Sequence, residues 1–318
     1  MALRNHSTIN EFILLGLSAD PKVQVLLFVV FLGIYLLTIM GNLMLLLVIR
    51  TDSHLHTPMY FFLSHLSFID LCFSSVTVPK MLENLLSQKK TISVRGCLAQ
   101  IFSIITTGGT EACLLSVMAY DRYAAICYPL LYGQVMNKRW CVQLVWASWG
   151  LGFLDALINV ILATKMDFCD AYIIPHYSCE LPSIFSLSCS DVSTNFIVML
   201  CSLIPHGIIT SLSIFFSYVF IIFTILSITS TSSRSNAFST CSSHLTAVIF
   251  FYGSAFLRYL VPTSDSPLEL IYSVLYSVIT PMLNPLIYSL KNKEVKAVVR
   301  RTIRKYLQCF QWQNKERG

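Results

Sequence analysis

Residues 23–49, VQVLLFVVFLGIYLLTIMGNLMLLLVI, form a run of 27 residues without a charged side chain, between Lys22 and Arg50. A helix needs about 20 mainly apolar residues to cross the hydrocarbon core of a bilayer. A helix on the surface of a soluble protein keeps one polar face, and this run has none. The run therefore predicts a transmembrane helix, which we name span one.

The composition of the whole chain agrees with a membrane protein. Of the 318 residues, 55% are hydrophobic and 12% are charged, whereas a soluble domain has about 25% charged residues. These proportions argue against a cytosolic enzyme, a nucleic-acid-binding protein, a disordered chain and a small disulfide-rich scaffold. The net charge of +6 could suggest nucleic-acid binding, but the positions of the basic residues along the chain favour a different cause.

Six further apolar runs follow, and one of them has two interpretations. Between Asp191 and Arg234 lie 42 uncharged residues, which could form one span or two short spans joined by a turn at Pro205-His206-Gly207. We interpret them as one span, roughly 194–225, followed by a polar loop, 227–235. The other runs are 58–79 with Asp70, 97–120 with Glu111, 140–163 with Asp155, and the uncharged runs 236–257 and 270–290. The sequence thus predicts an all-α bundle of seven membrane-spanning helices.

The distribution of lysine and arginine predicts the orientation, because cytoplasmic loops are enriched in these residues. With the N-terminus outside, 14 basic residues lie on the inner side and 8 on the outer side. The positive net charge is therefore first a topology signal. Residues 1–22 would be an extracellular tail, 23–290 the membrane domain and 291–318 a cytoplasmic segment.

Both ends of the chain carry further signals. Asn5-His6-Ser7 fits a glycosylation sequon, which requires an extracellular N-terminus, and we expect no cleaved signal peptide. Residues 291–307 have apolar side chains at helical spacing with basic residues between them. That pattern favours a short amphipathic helix on the anionic inner leaflet over a solvated tail, and Cys309 beyond it is a candidate for palmitoylation.

Of the eleven cysteines, four lie in or next to predicted outer loops. These are Cys97, Cys169, Cys179 and Cys189. An even number in an oxidising compartment indicates two disulfides, with three possible pairings, although one or more could also remain free. No cysteine and histidine cluster has the spacing of a zinc finger, and we predict neither a metal nor a cofactor.

Polar groups at membrane depth are candidates for function because burying them in lipid is costly. Asn42, Asp70, Glu111 and Asn284 could form one polar cluster that holds water or a cation, or a purely structural hydrogen-bond network. Asp121-Arg122-Tyr123 ends span three at its predicted inner edge. In span seven, Pro285 removes a helix hydrogen bond, and Asn284 could satisfy the groups that it exposes.

Two other functional classes are weaker alternatives. A transporter could use Asp70, Glu111 and Asp155 as ion or proton sites, but the halves of the chain show no internal repeat with matching helix breaks. An intramembrane enzyme would need a catalytic motif, and the chain has no H-E-x-x-H, no P-loop and no G-x-S-x-G.

Five motifs make the chain resemble a rhodopsin-class G-protein-coupled receptor, specifically a vertebrate olfactory (odorant) receptor. The chain is not predicted to be an enzyme. The motifs extend from span two to the end of span seven and are LHTPMYFFLS (55–64), MAYDRYAAIC (118–127), SY (217–218), AFSTCSSH (237–244) and PMLNPLIYS (281–289).

The resemblance implies roles for individual residues. Cys97 would pair with Cys179, and Cys169 with Cys189. Asp70 and Glu111, with Asn42, would belong to the central polar site. The residues implied in the conformational switch and G-protein coupling are Asp121, Arg122, Tyr123, Tyr218, Cys241, His244, Asn284, Pro285 and Tyr288. One position departs from the family, because Asn236 stands where a lysine is usual, and this puts the strength of coupling in question.

The resemblance also implies an odorant pocket in the outer half, between spans three, five, six and seven. No acid lies in the outer half of span three, so an amine would have no obvious counter-ion, and we expect a small, neutral, mostly apolar ligand. Counting along the helices from the motifs gives Ile104, Ile105, Gly108, Gly109, Ser202, His206, Tyr252, Ala255, Phe256, Tyr259, Ser273, Val274 and Ser277.

The implied partners are a volatile small molecule, membrane lipid and the olfactory stimulatory G protein, which raises cyclic AMP. No nucleic acid is expected. The implied location is the plasma membrane of olfactory cilia, with several spans and an extracellular N-terminus.

Overall fold

Seven helices in the computed structural model are long and apolar enough to cross a membrane, which confirms the predicted number of spans. The structure describes residues 10–168, 172–260, 267–291, 295–302 and 304. At 31 residues, the first helix is about 46 Å long, longer than the hydrocarbon core of about 30 Å.

Spans one to four are α1 (Pro21–Thr51), α2 (Pro58–Leu86), α3 (Val94–Cys127) and α5 (Lys138–Ala163), with the short α4 (Tyr132–Val135) between the last two.

The long uncharged run forms one span and not two. Span five consists of α7 (Ser193–Leu203), a π-helical turn (Ile204–Ile209) and α8 (Thr210–Ser227). The π turn contains the sequence that could have been a loop, and it adds a bulge without reversing the chain. The short α6 (Leu181–Phe185) precedes span five, and span six lies within α9 (Thr231–Leu260). Span seven combines α10 (Pro267–Val274), a second π turn (Leu275–Ile279) and α11 (Thr280–Lys291).

The predicted polar loop 227–235 is wrong over most of its length, because α9 already begins at Thr231. The backbone N–H of Arg234 donates to Ser230 O at 3.0 Å, which is the first hydrogen bond of this helix. Serine and threonine are favoured at helix starts, where their hydroxyls can satisfy free N–H groups. Polar composition here therefore marks a helix that continues beyond the membrane.

The surface of the bundle is apolar and part of its interior is polar. On span one, Leu26, Val29 and Met40 are each more than 60% exposed, whereas Thr38 and Asn42 are buried. Water would oppose this distribution, but lipid favours it. Span one therefore presents its apolar side chains to lipid and its few polar side chains to the other helices.

Span three lies at the centre of the bundle and packs against spans two, four, five and six. Its approach to span four depends on Gly152, where a Cβ atom would lie 2.6 Å from Thr106 O and 2.6 Å from Thr110 Oγ1. Only a residue without a side chain fits this contact, since a backbone oxygen cannot rotate away. This contact fixes which face of span four lies against span three.

One end of the bundle, which we name the sheet end, carries a three-stranded sheet. The central strand β1 (Glu11–Leu14) pairs antiparallel with β2 (Thr91–Ser93), with Phe12 opposite Ile92. It also pairs in parallel with β3 (Ile173–Ile174), with Ile13 opposite Ile173. The sheet ties the segment before span one to the connections that precede span three and span five.

The opposite end, the tail end, carries the helical residues 295–302. Val295 and Val298 are buried in the same apolar cluster as Val48 of span one, and Arg301 Nη2 lies 2.5 Å from Asp52 Oδ2. The apolar face of the predicted tail helix thus packs in part on the bundle itself. Residues 292–294, 303 and 305–307 of that prediction, and Cys309, lie outside the described residues.

Candidate functional site

A cavity of about 200 Å³ lies toward the sheet end and is the main candidate for a ligand site. Its wall combines spans three, four, five, six and seven with the segment that contains Glu180. The wall is mostly apolar with a few polar groups, as is usual for small-molecule sites. Since an engineered protein cavity of about 150 Å³ holds benzene, this one has room for a ligand of about eight non-hydrogen atoms.

The structure brings most of the predicted pocket residues to this cavity. The eight that line it are Ile104, Ile105, Gly108, Gly109, Ser202, His206, Tyr252 and Ala255. The side chain of Tyr259 lies outside the described residues.

Four predicted pocket residues do not line the cavity. Phe256 is 61% exposed on the outer surface of the bundle, although its spacing of four residues from Tyr252 puts both on one side of span six. Val274 packs on an apolar cluster around Phe31. Ser273 and Ser277 are buried and hydrogen-bonded to Tyr177 Oη at 2.8 and 2.7 Å.

The pocket predicted from the sequence did not include span four, which contributes Asp155, one of the two acids that line the cavity. Asp155 Oδ1 accepts hydrogen bonds from Asn159 Nδ2 at 2.9 Å and from Ser202 Oγ. His206 lies beside this group, with Nε2 3.6 Å from Asp155 Oδ2 and Nδ1 3.6 Å from Cys113 Sγ. The expectation that an amine would find no counter-ion is therefore wrong, since span three lacks an acid there but span four supplies one.

Two glycines of span three provide space for side chains from other spans. A Cβ atom at Gly109 would lie 3.1 Å from Cε1 of His206, and one at Gly108 would lie 2.7 Å from the hydroxyl of Tyr276. A side chain at Gly109 would therefore push the imidazole away from its present position. These glycines help to determine the volume of the cavity.

Span six is joined to span five beside the cavity. Tyr252 Oη donates to Thr210 Oγ1 at 2.7 Å, and Thr210 Oγ1 donates to His206 O at 2.6 Å. The carbonyl of His206 belongs to the π turn, where the helix has lost its regular hydrogen-bond pattern. A ligand that moves Tyr252 would therefore act on both helices.

The segment before span five closes the sheet end of the cavity. Cys97 of span three and Cys179 form a disulfide, the pairing that the resemblance implies. The neighbouring backbone N–H of Cys179 donates to Gln100 Oε1 at 2.8 Å. Cys189 is also disulfide-bonded, but its predicted partner Cys169 lies outside the described residues, as does the sequon residue Asn5.

A second buried polar cluster lies between spans two, three and seven. Asn284 Nδ2 is 3.2 and 3.1 Å from the two carboxylate oxygens of Asp70 and 3.5 Å from Glu111 Oε1. Asn42, predicted in the same cluster, instead donates to Pro281 O at 3.2 Å. Asn42, and not Asn284, therefore satisfies the carbonyl that Pro285 leaves without its helix partner.

Most of the predicted switch residues lie together toward the tail end, whereas Asn284 belongs to the cluster with Asp70 and Glu111. Arg122 Nη2 pairs with Asp121 Oδ2 at 2.7 Å, and Tyr132 Oη donates to Asp121 Oδ1 at 2.7 Å. Burial and the adjacent Asp121 carboxylate raise the pKa of Tyr132, so this hydroxyl remains a donor. Tyr123 borders the same region, and its ring contacts the ring of Phe220 on span five.

Span six is also fixed at this end. Its His244 Nδ1 lies 2.7 Å from Tyr218 Oη of span five, and its Nε2 lies 3.0 Å from Leu115 O of span three. Tyr218 Oη also lies 3.4 Å from the carbonyl of Cys241. Tyr288 of span seven is fully buried, and its hydroxyl has no hydrogen-bond partner among the described residues. The contacts of His244 hold span six against spans three and five, and the Arg122 side chain is only 12% exposed.

Residues 31–306 match the sequence model of a family described as "Olfactory receptor". The chain belongs to the olfactory receptor family. It is thus a rhodopsin-class G-protein-coupled receptor and not an enzyme. It is a multi-pass protein of the plasma membrane.

Relatives extend this likeness over nearly the whole receptor. The chain is 72% identical to human "Olfactory receptor 8S1" over 93% of its own length and 82% of that protein. It is 48% identical to human "Olfactory receptor 8A1" over 96% of its length and 94% of that protein. Mouse "Olfactory receptor 5G9" is 47% identical over 96% of this chain and 98% of that protein.

The residues that sequence reasoning missed in this olfactory receptor come mainly from span four and from the segment before span five. Asp155 is an acid within a predicted span, and its spacing of four residues from Asn159 places both on one helix face. That signal could have assigned them to one polar site. It could not show that the site opens into the cavity, because the facing of span four depends on the contact at Gly152.

Proposed function

We propose that this chain is an odorant receptor that binds a small, mostly apolar volatile in the cavity and activates the olfactory stimulatory G protein, raising cyclic AMP. The main support is that span six carries both Tyr252, in the cavity wall, and His244, which is bonded to spans three and five. One helix therefore connects the ligand site to the region around Arg122.

The mechanism that we propose is a shift between two packings of the bundle. In the described packing, His244 is bonded to Tyr218 and to the carbonyl of Leu115. A ligand that contacts Tyr252 and prefers a packing with span six displaced would weaken these bonds and open a cleft beside Arg122. Such a ligand shifts the equilibrium only by its difference in affinity for the two packings, and each tenfold difference corresponds to about 1.4 kcal/mol.

We propose that the receptor lies in the plasma membrane of olfactory cilia. Its sheet end faces the outside of the cell and its tail end faces the cytoplasm. The count of 14 inner against 8 outer basic residues supports this orientation. Staining of an N-terminal tag on intact cells would test this orientation, and loss of a gel-mobility shift in Asn5→Gln would test glycosylation.

A transporter is not favoured, because Asp155 and the Asp70–Glu111 pair belong to separate hydrogen-bond clusters.

The test is a cyclic AMP assay in cells that express the receptor with the olfactory G protein, using a diverse panel of cavity-sized odorants. We expect a dose-dependent rise that Arg122→Ala abolishes while surface staining persists. If a response to the same odorants is unaffected by Arg122→Ala, the proposed coupling is wrong. Asn236→Lys tests whether Asn236 limits coupling to the G protein. If Asn236 limits coupling, this substitution should raise the maximal cyclic AMP response.

A further inference from the structure

The cavity wall contains a carboxylate with one oxygen already satisfied by the protein. Asp155 Oδ1 accepts from Asn159 Nδ2 at 2.9 Å and from Ser202 Oγ. The other oxygen, Oδ2, has His206 Nε2 at 3.6 Å, which is beyond hydrogen-bond distance. A carboxylate oxygen can accept two hydrogen bonds, so Oδ2 has acceptor capacity to offer a ligand.

The charge of the wall favours a cation. Asp155 and Glu180 both line the cavity, and His206 is the one basic side chain among the described residues that line it. Removing a carboxylate from water into apolar surroundings is costly unless an opposite charge or several donors compensate. Asp155 has two donors and lies near His206, and Glu180 accepts from Ser273 Oγ at 3.1 Å and lies 4.0 Å from His176 Nε2. An anionic ligand would still add a like charge beside these two acids, whereas a cationic ligand would add an opposite charge.

The remainder of the wall is compatible with the same ligand. Phe251, Tyr252 and Tyr276 line the cavity, and the faces of aromatic rings attract cations. The apolar side chains Ile104 and Ile105 suit a hydrocarbon skeleton. The volume of about 200 Å³ limits that skeleton to roughly the size of a six-membered ring with one head group.

We infer that the odorant of this receptor is a small primary or secondary amine, bound as its ammonium ion, which donates to Asp155 Oδ2. Asn159 and Ser202 position the carboxylate, and Asp155 determines the preference for an amine over an alcohol or an acid of the same shape. This inference rests on the proposed function for its signalling readout, but binding itself can be measured without a G protein.

The first test uses the unmodified receptor and four compounds that share one ring. They are cyclohexylamine, cyclohexanol, methylcyclohexane and cyclohexanecarboxylic acid. Purified full-length receptor in lipid nanodiscs should be stabilised against heat by cyclohexylamine at concentrations about tenfold or more below those at which cyclohexanol acts. Cyclohexanecarboxylic acid should have no effect. Equal stabilisation by the alcohol, or stronger stabilisation by the acid, would overturn the inference.

The second test removes the charge of Asp155. Asp155→Asn should raise the EC50 for cyclohexylamine by about tenfold to a hundredfold and remove its thermal shift, with little effect on cyclohexanol. Glu83→Gln is the matched control, because Glu83 is an exposed acid paired with Lys80 outside the cavity, and it should leave both responses unchanged. An unchanged amine response in Asp155→Asn would also overturn the inference.

The two readouts separate this inference from the proposed function. Amine-specific thermal stabilisation without cyclic AMP would support the ligand class and contradict the coupling. Cyclic AMP responses to neutral odorants that persist in Asp155→Asn, without amine binding, would support the receptor function and contradict the ligand class. Surface-expressed receptor with neither response would contradict both.

Discussion

Asn42 of span one donates a hydrogen bond to the carbonyl of Pro281 in span seven, at 3.2 Å. Pro281 lies four residues before Pro285, and proline cannot donate the helix hydrogen bond that this carbonyl would otherwise accept. The two spans also meet closely at Gly41, where a Cβ atom would lie 3.1 Å from Cγ of Pro285. The irregularity in span seven is thus stabilised by a neighbouring helix.

This relationship predicts that Asn42→Leu destabilises the receptor. Hydrogen bonds between membrane helices contribute about 0.6 kcal/mol on average and up to about 1.7 kcal/mol, so the melting temperature in detergent should fall by a few degrees. Thr51→Ala is the control, because the hydroxyl of Thr51 bonds to Leu47 O within its own helix. An equal effect of both variants would contradict the cross-helix role.

A second prediction concerns the contact between spans three and four. Gly152→Ala should reduce surface expression, because its Cβ would lie 2.6 Å from the fixed oxygen of Thr106 and such overpacking costs about 1–3 kcal/mol. Gly150→Ala is the matched control, since a Cβ there meets nothing within 4 Å. Flow cytometry of an N-terminal tag on permeabilised and intact cells measures the surface fraction. Normal surface levels for Gly152→Ala would refute the prediction.

The disulfide before span five provides a third prediction. Cys97 and Cys179 are separated by 82 residues, and closing a loop of that length in the unfolded chain corresponds to about 4.5 kcal/mol in the chain-entropy description. Cys97→Ser should therefore abolish most surface expression. Cys201→Ser should not, because Cys201 is a free cysteine on the exposed side of span five. Similar expression of the two variants would be the contrary result.

The tie between spans five and six gives a fourth prediction. Tyr252→Phe removes the donor to Thr210 and should raise the ligand-independent level of cyclic AMP, because span six loses one bond that holds the described packing. Tyr35→Phe removes an exposed tyrosine hydroxyl on span one and should not change it. A lower basal level in Tyr252→Phe would show that the bond belongs to the active packing.

A fifth prediction concerns pH at the tail end. Hydrogen bonds from the side chain and backbone of His54 lower the pKa of Asp52, which also faces Arg301. Because the pKa of Asp52 is lowered in the folded state, its ionised carboxylate stabilises the folded state at pH values above the ordinary pKa of the carboxyl. This stabilisation is lost as the pH falls through the lowered pKa. The protection factors of the amide hydrogens in residues 295–302 should therefore be unchanged between pH 7 and pH 5, and they should be lower in Asp52→Asn at both values. Equal protection in the variant would contradict an anchoring role.

The sequence predicted the number of spans well because each depends on a local property, the length of an apolar run between charges. It also identified the groups around Arg122 and Asp70, because these belong to long motifs with fixed positions. Prediction failed where a fact depends on how helices face each other. The facing of span four depends on Gly152, and the partner of the Pro281 carbonyl depends on span one, so neither could be read from local spacing.

The prediction of a polar loop at 227–235 failed for a different reason. Polar composition shows where a chain leaves the membrane, but it does not show that the chain stops being helical there. The Ser-rich segment from Thr231 onward continues span six beyond its apolar part.

If ligands act from the cavity beside Gly108, a Gly108→Leu receptor should show a changed cyclic AMP dose response. With an agonist from the odorant panel, we expect the EC50 to rise at least about tenfold at normal surface expression, because the new side chain takes up cavity volume beside Tyr276. Gly253→Leu, at a position with nothing within 4 Å, should respond as the unmodified receptor does. An unchanged dose response in Gly108→Leu would show that ligands do not act from this cavity.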